Sequence, residues 1–394
     1  MIRHIFKLIW NRRKANFLIM TEIFFSFIVL YAVVTMAVFY LDNKKDPLGF
    51  TYENQWVVEI DTKGSSNISK LASFRQLFAN LRTMDEVVSV SGMSITPFSS
   101  NNWNGSTSIK GKRYDYEATG GTDDLVQTLD LHITRGRWFT PDDGMSNKNP
   151  VVINEHFAQA VFGAEDPIGK PLFDLNNTDK PTEIVGVITN YKKDGEYAAS
   201  TNFYFERMTL QDTTGRIPET LVIKVRPGTT AQFEEKLSRL LQGTVKEWTF
   251  SVESLTRERE DKISMYITPL IVASLIAAFL IAMVALGLIG IIWQNVMGRI
   301  SEIGLRRATG ATKKDINWQI LGELLMITSL GMLAALILVI QFPILGVLSF
   351  VSTKVYIIAL LISVLSIYAV TVLCGIYPSM LATKIQPTEA LHAE

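Results

Sequence analysis

Residues 299–316, RISEIGLRRATGATKKDI, lie between two segments that are far too apolar for a soluble protein. This basic segment holds five of the chain's 38 Lys and Arg residues. Within it, Gly310 is suited to end a helix, and Thr312 with Asp315 forms a capping box that starts the next one. A disordered loop would need neither feature. The segment therefore predicts a helix, a tight break and a new helix, which together form an elbow.

Outward from this elbow, the apolar residues are concentrated in four blocks. These blocks approach or exceed the about 20 residues that a helix needs to cross a bilayer, and they cover residues 17–41, 263–295, 319–342 and 356–377. The first apolar run, of about 24 residues, exceeds the hydrophobic core of a cleavable signal peptide, which is about 7 to 15 residues long. We therefore predict four transmembrane helices, with the first retained as an anchor.

The formal net charge is zero, but the charges are segregated along the chain. Residues 42–262 carry 26 Lys and Arg against 32 Asp and Glu, whereas five basic residues precede the first span and five lie in the elbow. Because basic residues favour the cytoplasmic side, we predict a multi-pass membrane protein with both termini in the cytoplasm. The predicted cytoplasmic parts are an amphipathic segment, the elbow and a tail, over 1–16, 296–318 and 378–394. The outer parts are a large domain and a short loop, over 42–262 and 343–355.

The predicted outer domain has no cysteine, since the single Cys374 lies in the fourth apolar block. The segments QWVVEI (55–60), TEIVGVI (182–188) and TLVIKV (220–225) are typical of strands, and the segments 67–84 and 229–243 are typical of amphipathic helices. We predict an α+β membrane protein: four transmembrane helices and, between the first two, a discontinuous α+β lobe with an inserted β-rich subdomain.

Motifs that carry catalytic chemistry are absent from the sequence. It lacks the G-x-x-x-x-G-K-[ST] phosphate-binding loop, and its four histidines do not have metal-ligand spacing. The PDDG segment with Asp142 and Asp143 is interpreted as an exposed turn. Glu22 and Glu323 are expected to reach the membrane interface, with a proton relay as the alternative. We predict no catalytic residue, no cofactor, no metal site and no nucleic-acid partner.

The elbow also resembles a known family. It matches the signature R-x-x-E-I-G-x-x-R-A-x-G-A of MacB/FtsX-type ABC transporter permeases at Arg299, Glu302, Ile303, Gly304, Arg307, Ala308, Gly310 and Ala311. The segments RGRWFTPDD, VVINEHFAQAVFGAEDPIGKPL and EIVGVITNYKKDG are similar to the family's periplasmic core domain, and YPSMLATKIQPTEAL resembles its C-terminal signature.

The resemblance implies a permease subunit of the bacterial inner membrane whose outer domain contains a porter-like lobe. It also implies that this subunit docks on a cytoplasmic ABC ATP-binding subunit and pairs with a second copy or a related permease. Since MacB itself carries its ATPase in the same chain, we expect the ATPase here to be a separate subunit. The elbow is the expected docking surface, formed by the signature residues together with Arg306, which is spaced for a helical ion pair with Glu302. Gly287 and Gly290 could allow close helix approach, either between subunits or within one.

The expected mechanism is mechanical. ATP-driven displacement of the elbow would move the second span, and residues 255–262 would continue that helix as a stalk into the outer domain, although Pro269 is expected to kink it. Efflux or envelope export follows as the function, with a periplasmic adaptor or outer-membrane component as a further partner. The alternatives are an FtsX-like regulator of an envelope hydrolase and an ATP-independent receptor or scaffold.

Overall fold

The computed structural model describes residues 13–109, 111–173, 181–211, 217–229, 232–298, 303–306, 309–348 and 350–382. They form two compact units. The core unit is Asn43–Tyr266, and the membrane unit consists of the described helices up to Asp42 and from Ile267 onward. The predicted N-terminal surface helix and most of the predicted tail lie outside the described residues.

Among the described residues, four helices are long and apolar enough to cross a membrane, as predicted. They are α1 (Arg13–Asn43), α6 (Leu255–Met297), α7 (Lys313–Val339) and α9 (Thr353–Ala382), and a short α8 (Gln341–Ile344) follows α7. Large apolar side chains such as Leu275 and Leu365 are two-thirds exposed on these helices. Exposed apolar surface of this kind suits contact with lipid.

Glycine residues allow close approach between the membrane helices. A Cβ on Gly331 of α7 would lie 2.9 Å from the Met20 carbonyl oxygen of α1, so these two backbones approach closely. A Cβ on Gly287 of α6 would lie 2.8 Å from a Glu22 carboxylate oxygen, whereas one on Gly290 would meet nothing described within 4 Å. Gly287 therefore packs within the chain.

The core unit is built on one mixed sheet of ten strands, in the order β10-β1-β9-β2-β4-β8-β6-β7-β5, with β3 paired to β4. The strands are β1 (Gln55–Asp61), β2 (Val87–Met93), β3 (Asn104–Ile109), β4 (Lys112–Gly121), β5 (Ile133–Gly136), β6 (Asn149–Asn154), β7 (Thr182–Ile188), β8 (Phe203–Arg207), β9 (Thr220–Val225) and β10 (Thr249–Ser254). The shorter helices are α2 (Asn67–Leu81), α3 (Leu125–Thr128), α4 (Glu155–Phe162) and α5 (Gln232–Thr244).

One end of the sheet is assembled from both ends of the core unit. Strands β1 and β2 come from its beginning and β9 and β10 from its end, and β1 pairs antiparallel with both β9 and β10. Helices α2 and α5 cover one face, where Phe74 and Leu237 are fully buried with Val58. Two β-strand and helix segments distant in sequence thus form the discontinuous lobe that the sequence predicts.

The inserted strands continue the same sheet rather than forming a separate one. Strand β2 pairs with β4 at Met93 and Gly121, and the order then runs through β8, β6, β7 and β5. Asn154 organises this part, because its fully buried amide oxygen accepts from the amides of Phe157 and Phe203 at 3.0 and 3.1 Å. The predicted α+β fold class is confirmed, and the lobe and the insert form one continuous sheet.

Candidate functional site

The elbow between α6 and α7 contains the predicted tight break. Residues 303–306 are helical, the Thr309 amide donates to the Leu305 carbonyl oxygen at 2.9 Å, and the Ala311 amide donates to the Arg306 carbonyl oxygen at 2.9 Å. Gly310 between them has φ +105°, a conformation that side chains rarely adopt. The chain therefore turns sharply at Gly310.

The predicted capping box starts α7. The Thr312 side chain accepts from the Asp315 amide at 3.3 Å, and the Asp315 carboxylate accepts from the Thr312 amide at 3.0 Å. The two side chains also bond to each other at 2.6 Å. Because these bonds satisfy amides that have no partner inside the helix, the first turn of α7 is held at a defined position next to the break.

Hydrogen bonds between side chains connect the short helical turn of the elbow, residues 303–306, to α7. Arg306 donates to the Gln319 side-chain oxygen at 2.5 Å, and Gln319 donates to the Glu323 carboxylate at 3.4 Å. Ile303 and Ile316 are 9% and 4% exposed beside this chain of polar groups. Glu323 is itself buried among the helices at 9% exposure, and its reach to the membrane interface stays a prediction. Sequence spacing did not indicate the bond from Arg306 to Gln319, thirteen residues later.

The predicted docking residues differ in their exposure. Ile303 and Gly304 are buried, Arg306 and Ala311 are half-buried, and Gly310 is exposed. The others, Arg299, Glu302, Arg307 and Ala308, lie outside the described residues, so the Glu302–Arg306 ion pair stays a prediction.

The exposed face of the elbow includes a residue that the motif does not mark. Leu305 occupies a variable position of the signature, and its side chain is 59% exposed next to the charged Arg306. Lys313 and Lys314 are exposed on the first turn of α7. The exposed face thus combines one apolar side chain with basic ones. In the sequence, Leu305 was distinguished only as an apolar residue in a charged segment with helical spacing.

The base of α6, which is the part of this helix within the core unit, is held by ion pairs to the loop after β7. Lys262 lies 2.7 Å from Asp194, and Arg259 pairs with Glu196. The Arg259 guanidinium also lies 4.5 Å from the centre of the Tyr52 ring, within cation–π distance. Two residues one turn apart on the helix are therefore bound to one loop.

This loop is itself anchored by two buried lysines. Lys192 donates to the carbonyl oxygens of Asn43 and Glu196 at 2.6 and 2.9 Å, and Lys193 donates to the Asn102 side chain at 2.5 Å and to Asp194 at 3.0 Å. Burial alone would raise the pKa of the Asp194 carboxyl, but Lys262 and Lys193 hold it below its ordinary value. Asp194 therefore carries a negative charge between the two ammonium groups.

Helix α6 continues from this base into the membrane unit. It is one helix of 43 residues, and it remains helical at Pro269. Proline has no backbone N–H, so the Met265 carbonyl oxygen loses its usual donor four residues later. Residues 255–262 are helical, as the sequence predicts for a stalk.

Comparison with known proteins assigns both units. Residues 25–240 match the family model of the MacB-like periplasmic core domain, and residues 274–387 match that of the FtsX-like permease C-terminal domain. The crystal structure of the periplasmic region of MacB from Actinobacillus actinomycetemcomitans is 17% identical in sequence, with a TM-score of 0.37, and the match covers 55% of this chain and 94% of that one.

Two bacterial relatives match most of the chain. A probable syringafactin export ATP-binding/permease protein of Pseudomonas syringae is 26% identical over 299 residues, which are 72% of this chain and 44% of the relative. The macrolide export ATP-binding/permease protein MacB 2 of Aeromonas hydrophila is 25% identical over 297 residues, or 72% and 45%. The chain spans about half the length of these relatives. Because the core-domain model alone matches more than half of its residues, the chain belongs to the MacB/FtsX-type family of ABC transporter permeases.

Proposed function

We propose that this chain is the non-catalytic permease subunit of an exporter, in which a separate cytoplasmic ATPase moves the core unit through α6. The main support for this proposal is the structure of the elbow. A glycine break, a capping box and the Arg306–Gln319 bond hold a short exposed surface against α7. A simple connector between two spans needs none of these bonds. The names of the relatives, which are export ATP-binding/permease proteins, support an ATP-binding partner.

The proposed coupling runs along α6. A displacement of the elbow would move α6 as a rod, because its backbone hydrogen bonds keep the helix length nearly constant. At the other end, the ion pairs of Arg259 and Lys262 would pass the displacement to the loop after β7, and from there to the inserted strands. Pro269, close to the point where the two units divide, is the position at which this rod would bend.

The exposed side chain of Leu305 provides the first test. In Leu305→Asp, a charge replaces an apolar side chain that we place at the centre of the docking surface, and such a change typically costs an interface about 2 kcal/mol or more. We expect recovery of the partner ATPase with the purified chain, and stimulation of ATP hydrolysis by the chain, to fall at least tenfold. Copurification followed by a phosphate-release assay measures both.

Ile68→Asp is the matched control, because Ile68 is a 73% exposed apolar residue on α2 in the core unit. It should leave both readouts unchanged. Gly304→Trp is not a clean test of docking, since Gly304 is buried within the chain. If Leu305→Asp recovers and stimulates the ATPase normally, the elbow is a connector and the receptor or scaffold hypothesis gains.

A further inference from the structure

An apolar groove lies in the membrane unit between α1, the end of α7, the following connection and the start of α9. Its volume is about 390 Å³, which is within the usual range for sites that hold a small ligand. Its lining includes Ala32, Phe39 and Phe350, and the rings of Phe39 and Phe350 meet edge to face with their centres 5.5 Å apart.

The buried hydroxyl of Tyr356 in this groove has no hydrogen-bond partner among the described residues. The Tyr356 side chain lines the groove and is 6% exposed, and its hydroxyl makes no hydrogen bond to any described residue. By contrast, the Thr35 hydroxyl in the same lining donates to the Tyr31 carbonyl oxygen at 2.7 Å. Leaving a buried hydroxyl unsatisfied typically costs about 1–3 kcal/mol. The Tyr356 hydroxyl is therefore a donor in the wall of the groove that no described residue satisfies, in a lining that is mainly apolar and also includes Tyr31 and Tyr40.

Charged residues at the helix ends indicate how deep Tyr356 lies in the membrane. Lys354 on α9 lies 3.7 Å from Asp42 on α1, and both belong at the level where the hydrocarbon meets water. Tyr356 follows two residues later, which is about 3 Å along the helix axis. This is the zone just inside the membrane surface, where the ester groups of phospholipids lie between headgroup and hydrocarbon.

The groove opens on the lipid-facing side of these helices. Phe342 and Phe350 at its rim are 40% and 59% exposed, on a bundle whose outer surface is apolar. In a bilayer, hydrocarbon chains are the species in contact with such a rim. We propose that the groove binds one acyl chain of a phospholipid, with an ester carbonyl oxygen of that lipid accepting a hydrogen bond from Tyr356. The proposal is independent of the ATPase partner and of the exported cargo.

Photolabelling of the full chain in lipid nanodiscs tests the site. The probes are phosphatidylethanolamine with a diazirine in one acyl chain, joined through an ester, and the ether-linked analogue that lacks the carbonyl. We expect cross-links to concentrate in residues 28–40 and 342–356, with roughly fivefold more from the ester probe, as one added hydrogen bond would give. Ala32→Trp fills the groove and should reduce these cross-links at least fivefold.

Tyr356→Phe isolates the hydroxyl. It should abolish the difference between the ester and ether probes while the groove remains labelled. Tyr368→Phe is the matched control in the same helix, because the Tyr368 hydroxyl bonds to Ser329 at 2.8 Å; it should preserve the difference. Ala278→Trp, at an exposed alanine of α6, controls for bulk.

Three results would overturn the proposal. The first is labelling spread evenly over all four spans and unchanged in Ala32→Trp. The second is equal labelling by the ester and ether probes in the unmodified chain. The third is cross-linking of the groove to a second copy of the chain, which would make the groove a subunit interface.

Discussion

At the residue scale, the turn after β5 contains a fixed ion pair between Arg137 and Asp143. Arg137 donates to both oxygens of Asp143, at 2.7 and 2.6 Å, and the Thr140 amide donates to one of them at 2.8 Å. The Asp143 side chain is 8% exposed, so the interpretation of both aspartates as an exposed turn is wrong for this one. The PDDG motif indicated the turn, but the partner lies six residues upstream.

Asp143 should make stability depend on pH. The hydrogen bonds from Arg137 lower the pKa of its carboxyl below the ordinary 3.8, despite the opposite effect of burial. The pair therefore stabilises the fold above about pH 3.8, and this contribution is lost as the pH falls through the lowered value. We expect Asp143→Asn to cost about 1–2 kcal/mol at pH 7, a reduced figure because water screens the half-exposed Arg137.

Thermal unfolding of the full chain in detergent, from about pH 2 to about pH 8, measures this effect. Asp142→Asn is the control, since the neighbouring Asp142 is exposed and should show little change at any pH. If the loss of stability in Asp143→Asn stays constant down to the lowest pH, this result would contradict the proposed pH dependence.

At the scale of single elements, α7 contains two glycines in different surroundings. A Cβ on Gly331 would lie 2.9 Å from the Met20 carbonyl oxygen, which is backbone and cannot yield easily, whereas one on Gly322 would meet nothing described within 4 Å. Alanine favours a helix over glycine by up to about 1 kcal/mol. Close helix contact therefore decides the effect of the same substitution at the two positions.

We expect Gly331→Ala to destabilise the membrane unit by about 1–3 kcal/mol, and Gly322→Ala to leave it unchanged or slightly more stable. The unfolding temperature of the two purified variants, measured in the same detergent, provides the comparison. Equal changes in both would show that α1 does not constrain α7 at Gly331.

At the scale of the whole molecule, orientation in the membrane is a prediction from the distribution of basic residues. In a chain with Cys374→Ala, we expect Asn147→Cys to react with a membrane-impermeant maleimide in intact spheroplasts and Lys313→Cys to react only after permeabilisation. Both positions are exposed in their own unit, so burial does not bias the test. Reaction of Lys313→Cys in intact cells would reverse the assigned topology.

Assembly is also a prediction at this scale. We expect two permease chains, identical or related, in the complex with the ATPase. Gly287 is used for packing within the chain, so Gly290, with open space around it, is the better candidate for contact between copies. Native mass measurement of the solubilised complex decides the number of chains, and one permease per particle would refute the pairing.

Local features of the sequence determined much of this protein. The lengths of the apolar blocks predicted four spanning helices, and Thr312 and Asp315 predicted the start of α7. Such signals can be interpreted from sequence because they depend on residues within a few positions of each other or on the length of one element. The two strand-then-helix segments, which include β1 and β9, likewise predicted the discontinuous lobe, although not its neighbours in the sheet.

Other features were decided only by the tertiary structure. The continuation of the lobe into the insert at Met93 and Gly121, the burial of Glu323 and the unpartnered Tyr356 hydroxyl depend on elements far apart in the chain. The exposure of Leu305 has the same origin, because an apolar residue between charges can face either the interior or a partner. Each depends on which surfaces the packed chain covers, and that is a property of long-range contacts rather than of local spacing.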